Sequence, residues 1–190
     1  MATVRQGNQP ALIIVDVQIG VMRDAWDAGR VIDNIALAVE RARSQEVPVI
    51  WVQHADDELV HGSADWQLPP QLVPAAGETR IDKAYNSSFE ETALEETLAG
   101  LGVSHVVLAG AATNWCIRAT AYGALERGYD LTLIKDAHTT GTMEFEDGTT
   151  IAAADIVRDL NIGMTWVSYP GRTNSTATAA EVDFAVAGNR

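Results

Sequence analysis

Val103-Ser104-His105-Val106-Val107-Leu108-Ala109-Gly110-Ala111-Ala112-Thr113-Asn114-Trp115-Cys116 reads as a strand that runs into a helix. Residues 103–109 are mostly apolar and do not alternate strictly, the pattern of a strand covered on both faces. Beyond them, Ile117, Ala121 and Ala124 recur at the spacing of one helical stripe. A doubly covered strand followed by a helix is the repeating unit of a parallel α/β sheet.

The unit recurs in both directions along the chain. Short apolar runs at residues 11–15, 47–52, 131–134 and 164–167, with a weaker one at 79–82, predict the other strands. Helical stripes lie between them: Ile32, Ile35, Val39 and Ala42, then Leu94, Leu98 and Leu101, then Ala153, Ile156, Val157 and Leu160. Ser88 with Glu91 three residues later is a capping-box signature for the helix carrying Leu94, and Gly128 punctuates the end of the helix carrying Ile117. The expected fold is an α/β, three-layer α-β-α sandwich around a central, mostly parallel six-stranded sheet. Ligands of such sheets bind beyond the carboxyl ends of the strands.

Two segments break the rhythm. Residues 54–78 contain Pro69, Pro70 and Pro74 and lack periodicity, so they predict a long surface excursion of the kind that serves as a lid. Residues 171–190 are rich in Thr, Ala, Asn and Gly and offer only Val182, Phe184 and Val186 for burial, which predicts a C-terminal tail.

A length of 190 residues with 47% hydrophobic content fits residues 1–190 as a single domain with one sizeable core. The formal net charge of −13 repels polyphosphate, which argues against nucleic acid or an anionic membrane as partner. One cysteine excludes an intrachain disulfide, a CxxC pair and a zinc ribbon. The first residues lack an apolar signal segment and no run approaches the ~18 apolar residues of a membrane span, so the expected location is cytoplasmic.

Several common sites are absent as motifs. Gly100-Leu101-Gly102 precedes a strand, the wrong place for a dinucleotide fingerprint, and no GxxxxGK[ST], GxSxG or HExxH occurs. Of the four histidines, His54 lies beside Asp56 and Asp57, which permits either a loose metal site or an ordinary solvated loop histidine. His105 is expected to be a hydrogen-bonded structural residue, and His138 lies just past a strand with no assigned role.

Asp16, Lys83 and Cys116 fall at or just beyond the carboxyl ends of three different predicted strands. Each alone has a structural explanation: a turn-capping acid, a solvated cation, a small buried thiol. Together they supply a nucleophile, a cation and a proton acceptor. Cys116 sits in the first turn of its helix, where unpaired N–H groups favour an anion, and Lys83 would lower the thiol pKa further. The expectation is an ionised sulfur, with Asp16 shuttling the proton.

Three ordered segments resemble the isochorismatase-like cysteine hydrolase family over residues 11–167. They are Ala11-Leu12-Ile13-Ile14-Val15-Asp16-Val17-Gln18, Lys83-Ala84-Tyr85-Asn86-Ser87-Ser88-Phe89 and Leu108-Ala109-Gly110-Ala111-Ala112-Thr113-Asn114-Trp115-Cys116. The resemblance implies a catalytic triad of Asp16, Lys83 and Cys116. It also implies a cis peptide between Ala111 and Ala112 and an oxyanion hole from the backbone N–H groups of Ala112 and Cys116; no cofactor is expected and no metal ligand is assigned. Val52-Gln53-His54-Ala55-Asp56 does not reproduce the Asp-x-His metal element of the nicotinamidases. The cysteine points away from isochorismatase-type ether cleavage and towards attack on a carbonyl carbon. The expected function is hydrolysis of a C–N bond in a small amide, cyclic imide or carbamoyl substrate through a thioester. The alternatives are an isochorismatase-type ether or ester hydrolase and a non-catalytic binding module. Gln18, Phe89 and Trp115 are the expected substrate-binding residues by position, and the resemblance suggests a homo-oligomer.

Overall fold

The computed structural model describes residues 5–184. In chain order the strands are β1 (Gln9–Val15), β2 (Val49–His54), β3 (Thr79–Lys83), β4 (Val103–Ala111), β5 (Asp130–Thr139), β6 (Met143–Glu144), β7 (Thr150–Ile151) and β8 (Asn174–Ala177). Six of them form one sheet in the order β3-β2-β1-β4-β5-β8, with every neighbouring pair parallel. β6 and β7 make a separate antiparallel hairpin. The order reverses between β1 and β4, which opens the crevice where parallel sheets bind ligands.

The apolar runs are continuous because each strand feeds two cores. Leu12 and Ile14 of β1, Trp51 of β2 and Val107 of β4 face α2 (Ala28–Ser44), which buries Val31, Ile35, Ala38 and Ala42 against them. Ala11, Ile13 and Val15 of β1, with Ile50 and Leu108, point the other way. That face is covered by α3 (Leu94–Gly100), α4 (Arg118–Glu126) and α5 (Ala153–Trp166), through residues such as Leu98, Ala121 and Leu160. Burying each Leu or Ile fully is worth about 1.5–3 kcal/mol, so these two layers fix the strand order.

Gly110 marks where β4 comes closest to β1. Its φ is 130°, and a Cβ there would lie 2.0 Å from the Val15 carbonyl oxygen. Only glycine permits that approach, which brings the end of β4 against the residue after β1.

The sixth strand is not the expected one. Residues 164–167 are the last turn of α5 and its cap: Met164 is buried four residues after Leu160, and Trp166 is 83% exposed. A four-residue apolar run does not distinguish strand from helix. The strand is instead Asn174–Ala177, inside the segment expected to be a tail. It is polar because it is an edge strand, paired only with β5. Val182 and Phe184 do pack, on the α2 side, while the expectation for Val186 and the other residues of 185–190 lies outside the described residues.

The capping box also fails. α3 begins at Leu94, whose N–H is accepted by Thr92 Oγ1 at 3.2 Å. Ser88 is instead engaged with Thr120 of α4, its N–H donating to Oγ1 at 3.0 Å and its Oγ accepting from that hydroxyl at 2.9 Å. Gly128, with φ 90°, does follow the end of α4.

Residues 55–78 contain no strand or helix, and they are tied down. Gln67 and Asp65 carbonyls accept the Ile19 and Gly20 N–H groups at the start of α1 (Ile19–Met22), and Gln53 Nε2 donates to Trp66 O at 3.0 Å. Glu78 accepts from Arg43 and from Trp51 Nε1. No helix among the described residues is long and apolar enough to cross a membrane.

Candidate active site

The carboxyl ends of three strands, β1, β3 and β4, converge near the reversal of strand order. Asp16 directly follows β1 and turns the chain with φ 52°, a left-handed conformation uncommon for residues other than glycine and tolerated best by Asp and Asn. Its N–H is held by Val52 O at 2.8 Å. Lys83 is the last residue of β3. β4 ends at Ala111, the Ala111–Ala112 peptide is cis, and Thr113–Ile117 form a single π-helical turn that leads into α4. Cys116 belongs to that turn, with the Trp115 and Ile117 N–H groups both donating to Ala112 O at 3.1 Å. π-turns recur at functional sites.

Lys83 is the centre of the cluster. Its Nζ lies 2.7 Å from Asp16 Oδ2, with side-chain exposures of 0% and 3%. It donates to Tyr85 O at 3.0 Å and to Cys116 Sγ at 3.3 Å, and lies 3.4 Å from His54 Nδ1. Asp16 Oδ1 is buried and makes no hydrogen bond among the described residues. On the open side, Cys116 Sγ faces Asn86 Oδ1 at 3.8 Å. All three residues expected from the sequence are therefore brought together, Asp16 and Lys83 buried and Cys116 partly open.

The charge state differs from the expectation. Burial, followed by the negative charge of Asp16, pushes the Cys116 thiol up to about 12, and Lys83 only partly offsets them. The sulfur therefore holds its proton at neutral pH. The helix-start argument misses this because it counts the favourable dipole and cation but not desolvation, which penalises any buried anion. Asp16 is likewise raised, burial outweighing the attraction of Lys83.

Two expected substrate-binding residues are engaged elsewhere. Gln18 is buried, its Oε1 accepting the His54 N–H at 2.9 Å and its Nε2 donating to His54 O at 2.8 Å. It clamps the ends of β1 and β2 together. Phe89 is buried in the core beside Tyr129, with the Arg127 guanidinium 4.8 Å above its ring. Of the three, Trp115 is open, 53% exposed beside Cys116. Asn86 was not identified from the sequence, although it lies within the Lys83 segment.

The histidines also resolve. His54 spends Nε2 on Asp56 Oδ2 at 2.9 Å and turns Nδ1 to Lys83, so both ring nitrogens are occupied. His105 is bonded to Thr132 Oγ1 at 2.8 Å, a structural role as expected. His138 bridges Thr113 Oγ1 at 2.9 Å and Asn161 Oδ1 at 3.0 Å. It ties the turn that carries Cys116 to α5, and burial lowers it to about 4.

A parallel sheet in a three-layer α/β fold here joins a carboxylate, an ammonium and a thiol at its carboxyl edge. Residues 10–160 match the Isochorismatase domain model, and the chain belongs to the isochorismatase-like family. It is 31% identical over 139 residues to a streptothricin hydrolase of Streptomyces noursei, which covers 68% of this chain. The chain spans about half that relative's length, 49%. Among solved structures, an isochorismatase from Pseudomonas putida KT2440 superposes with a TM-score of 0.81 at 28% identity, covering 90% of this chain and 89% of that one. A cysteine hydrolase from Pseudomonas syringae pv. phaseolicola 1448A shares the fold with a TM-score of 0.80 at 21% identity, covering 90% and 89%.

Proposed function

We propose that the chain hydrolyses a C–N bond of a small amide, cyclic imide or carbamoyl compound through a thioester on Cys116. The observation that carries this reading is one ammonium, Lys83 Nζ, in contact with both Asp16 Oδ2 and Cys116 Sγ. Likeness to a streptothricin hydrolase supports amide-type cleavage.

The sequence of steps follows from where the proton rests. As the substrate carbonyl reaches the sulfur, Asp16 takes the thiol proton and the sulfur bonds to the carbonyl carbon. Lys83 offsets the charge on sulfur as it forms. Backbone N–H groups of Ala112 and Cys116 receive the oxyanion. Collapse of the tetrahedral adduct breaks the C–N bond, and Asp16 returns the proton to the departing nitrogen. Water then attacks the thioester while Asp16 again accepts a proton, which releases the acid and restores the thiol. Trp115 and Asn86 stand where a substrate would approach. Trp115 could offer a flat apolar face to a planar or cyclic substrate.

The same reading takes the protein to act in the cytoplasm as a homo-oligomer, for which the exposed Trp26, Ile162 and Trp166 provide apolar surface. A second reading, hydrolysis of an ether or ester, is favoured by the 28% identity to the Pseudomonas putida isochorismatase.

The test is a screen of small amides and cyclic imides with mass spectrometry of the acyl-enzyme. Cys116→Ala is expected to fold, to form no adduct and to lose at least about 10³-fold in turnover. Amide turnover that survives the substitution would refute the mechanism, and thiol-independent cleavage of an ether or ester would establish the second reading.

A further inference from the structure

Lys83 has more acceptors than protons to give them. An ammonium carries three N–H donors and no acceptor, yet four acceptor atoms surround Nζ: Asp16 Oδ2 at 2.7 Å, Tyr85 O at 3.0 Å, Cys116 Sγ at 3.3 Å and His54 Nδ1 at 3.4 Å. The first two are short and each occupies one N–H. The third N–H is left to the sulfur and the imidazole.

His54 is built to compete for it. Because Nδ1 faces an ammonium, it presents a lone pair, and the ring proton sits on Nε2 towards Asp56 Oδ2 at 2.9 Å. Asp56 is fixed in turn, with Oδ1 accepting the Glu58 and Leu59 N–H groups at 2.9 and 2.7 Å. The Leu59 bond, then His54, holds its carboxyl below the usual carboxylate range. Gln18 grips the His54 backbone on both sides. A cavity of about 310 Å³ lies beyond the ring, bordered by Arg23, Asp56, Glu58 and Asp65, with Arg23 paired to Asp65.

We propose that His54, oriented by Asp56, is a positioning residue that competes with Cys116 for one N–H of Lys83 and so sets how readily the thiol ionises. A neutral thiol is the weaker acceptor, so at rest the imidazole draws on that N–H and keeps the ammonium seated. When the sulfur becomes an anion it is the stronger acceptor and takes the N–H over. Asp16, Lys83 and Cys116 on one side of the ring and Asp56 on the other are the charged or titratable groups in this competition, with Arg23, Glu58 and Asp65 facing it across the cavity. This deepens the functional reading above, since it rests on Cys116 as the reacting group.

The chain has a single cysteine, so iodoacetamide alkylation followed against pH reports Cys116 alone. His54→Leu removes the competitor and is expected to speed alkylation about tenfold at fixed pH, equivalent to one unit of thiol pKa. His54→Asn keeps an acceptor near the Nδ1 position and should stay within about twofold of the unsubstituted protein. A Leu variant within twofold, or Asn and Leu variants displaced alike, would overturn the proposal. A second measurement needs no variant: with 15N-labelled histidine, alkylation of Cys116 should move the His54 Nδ1 resonance, and an unmoved resonance refutes the competition. Failure to find any amide substrate, with both readouts behaving as expected, would remove the functional reading and leave this one standing.

Discussion

Replacing Lys83 with Met should destabilise the protein in a way that depends on pH. The substitution leaves the Asp16 carboxylate without the cation 2.7 Å away, in a place where its side chain is 3% exposed. Breaking a buried pair costs about 3–5 kcal/mol when the remaining group stays charged. Asp16 can escape that cost by taking a proton, and the ceiling can then be worked out. An unfolded Asp titrates near 3.9, so holding it protonated in the folded state at pH 7 costs about 1.36 × 3.1, or roughly 4 kcal/mol. At pH 5 the same cost is about 1.5 kcal/mol. The sign follows from the raised folded pKa: the contribution to stability is fully present below the unfolded value and is lost as pH rises towards the folded one. For a chain of this length a change of ~4 kcal/mol corresponds to a Tm lower by about 8–16 °C at pH 7, shrinking on acidification. Urea or thermal unfolding at pH 7 and pH 5 reads it, and adding Asp16→Asn should abolish the slope. A loss of equal size at both pH values, or a slope that survives Asp16→Asn, would refute the reasoning.

The charge of Asp16 is one cause of the high thiol pKa, so Asp16→Asn should alkylate at least about tenfold faster than the unsubstituted protein at pH 8 while losing turnover; slower alkylation would contradict it. Gly110→Ala places a Cβ 2.0 Å from Val15 O at a positive φ, and should cost about 3 kcal/mol or more by urea unfolding, with an unchanged midpoint as the refuting result. His138 falls from 6.5 to about 4 on folding, worth about 3 kcal/mol. Its contribution is present above 6.5 and lost as pH falls towards 4, so His138→Asn should flatten the urea midpoint against pH in that window, and an equally steep profile would count against the assignment.

The elements legible in the sequence are those whose side chains report burial on both faces. Residues 11–15, 47–52 and 103–109 contain consecutive apolar positions because the strands they form feed two cores. β8 was invisible for the converse reason: an edge strand of Asn, Ser, Thr and Ala pairs through its backbone, and backbone pairing leaves little trace in composition. Residues 164–167 misled because four apolar residues fit either period. The site divides in the same way. Asp16, Lys83 and Cys116 could be placed together because each ends a recognisable strand or starts a helix. Gln18 and Phe89 follow the same logic of position, but which way a side chain turns is decided by its partners, the His54 backbone for one and Tyr129 for the other. The proton on sulfur lay beyond reach because desolvation depends on everything packed around an atom, not on its neighbours along the chain.

That proton has a physical use. A permanently ionised thiolate packed beside a carboxylate would place two anions around one ammonium, in a site where uncompensated charge is costly. Whenever Asp16 is ionised and the thiol neutral, Lys83 balances one anion. When Asp16 takes the proton the negative charge moves from oxygen to sulfur, and the net charge of the trio is unchanged. The ammonium touches both atoms, at 2.7 Å and 3.3 Å, so it compensates the charge at either end of the transfer without having to move. A thiol held high is therefore compatible with nucleophilic attack, because what governs the step is the difference between two neutral arrangements of the trio, one of which a carbonyl at the sulfur would favour.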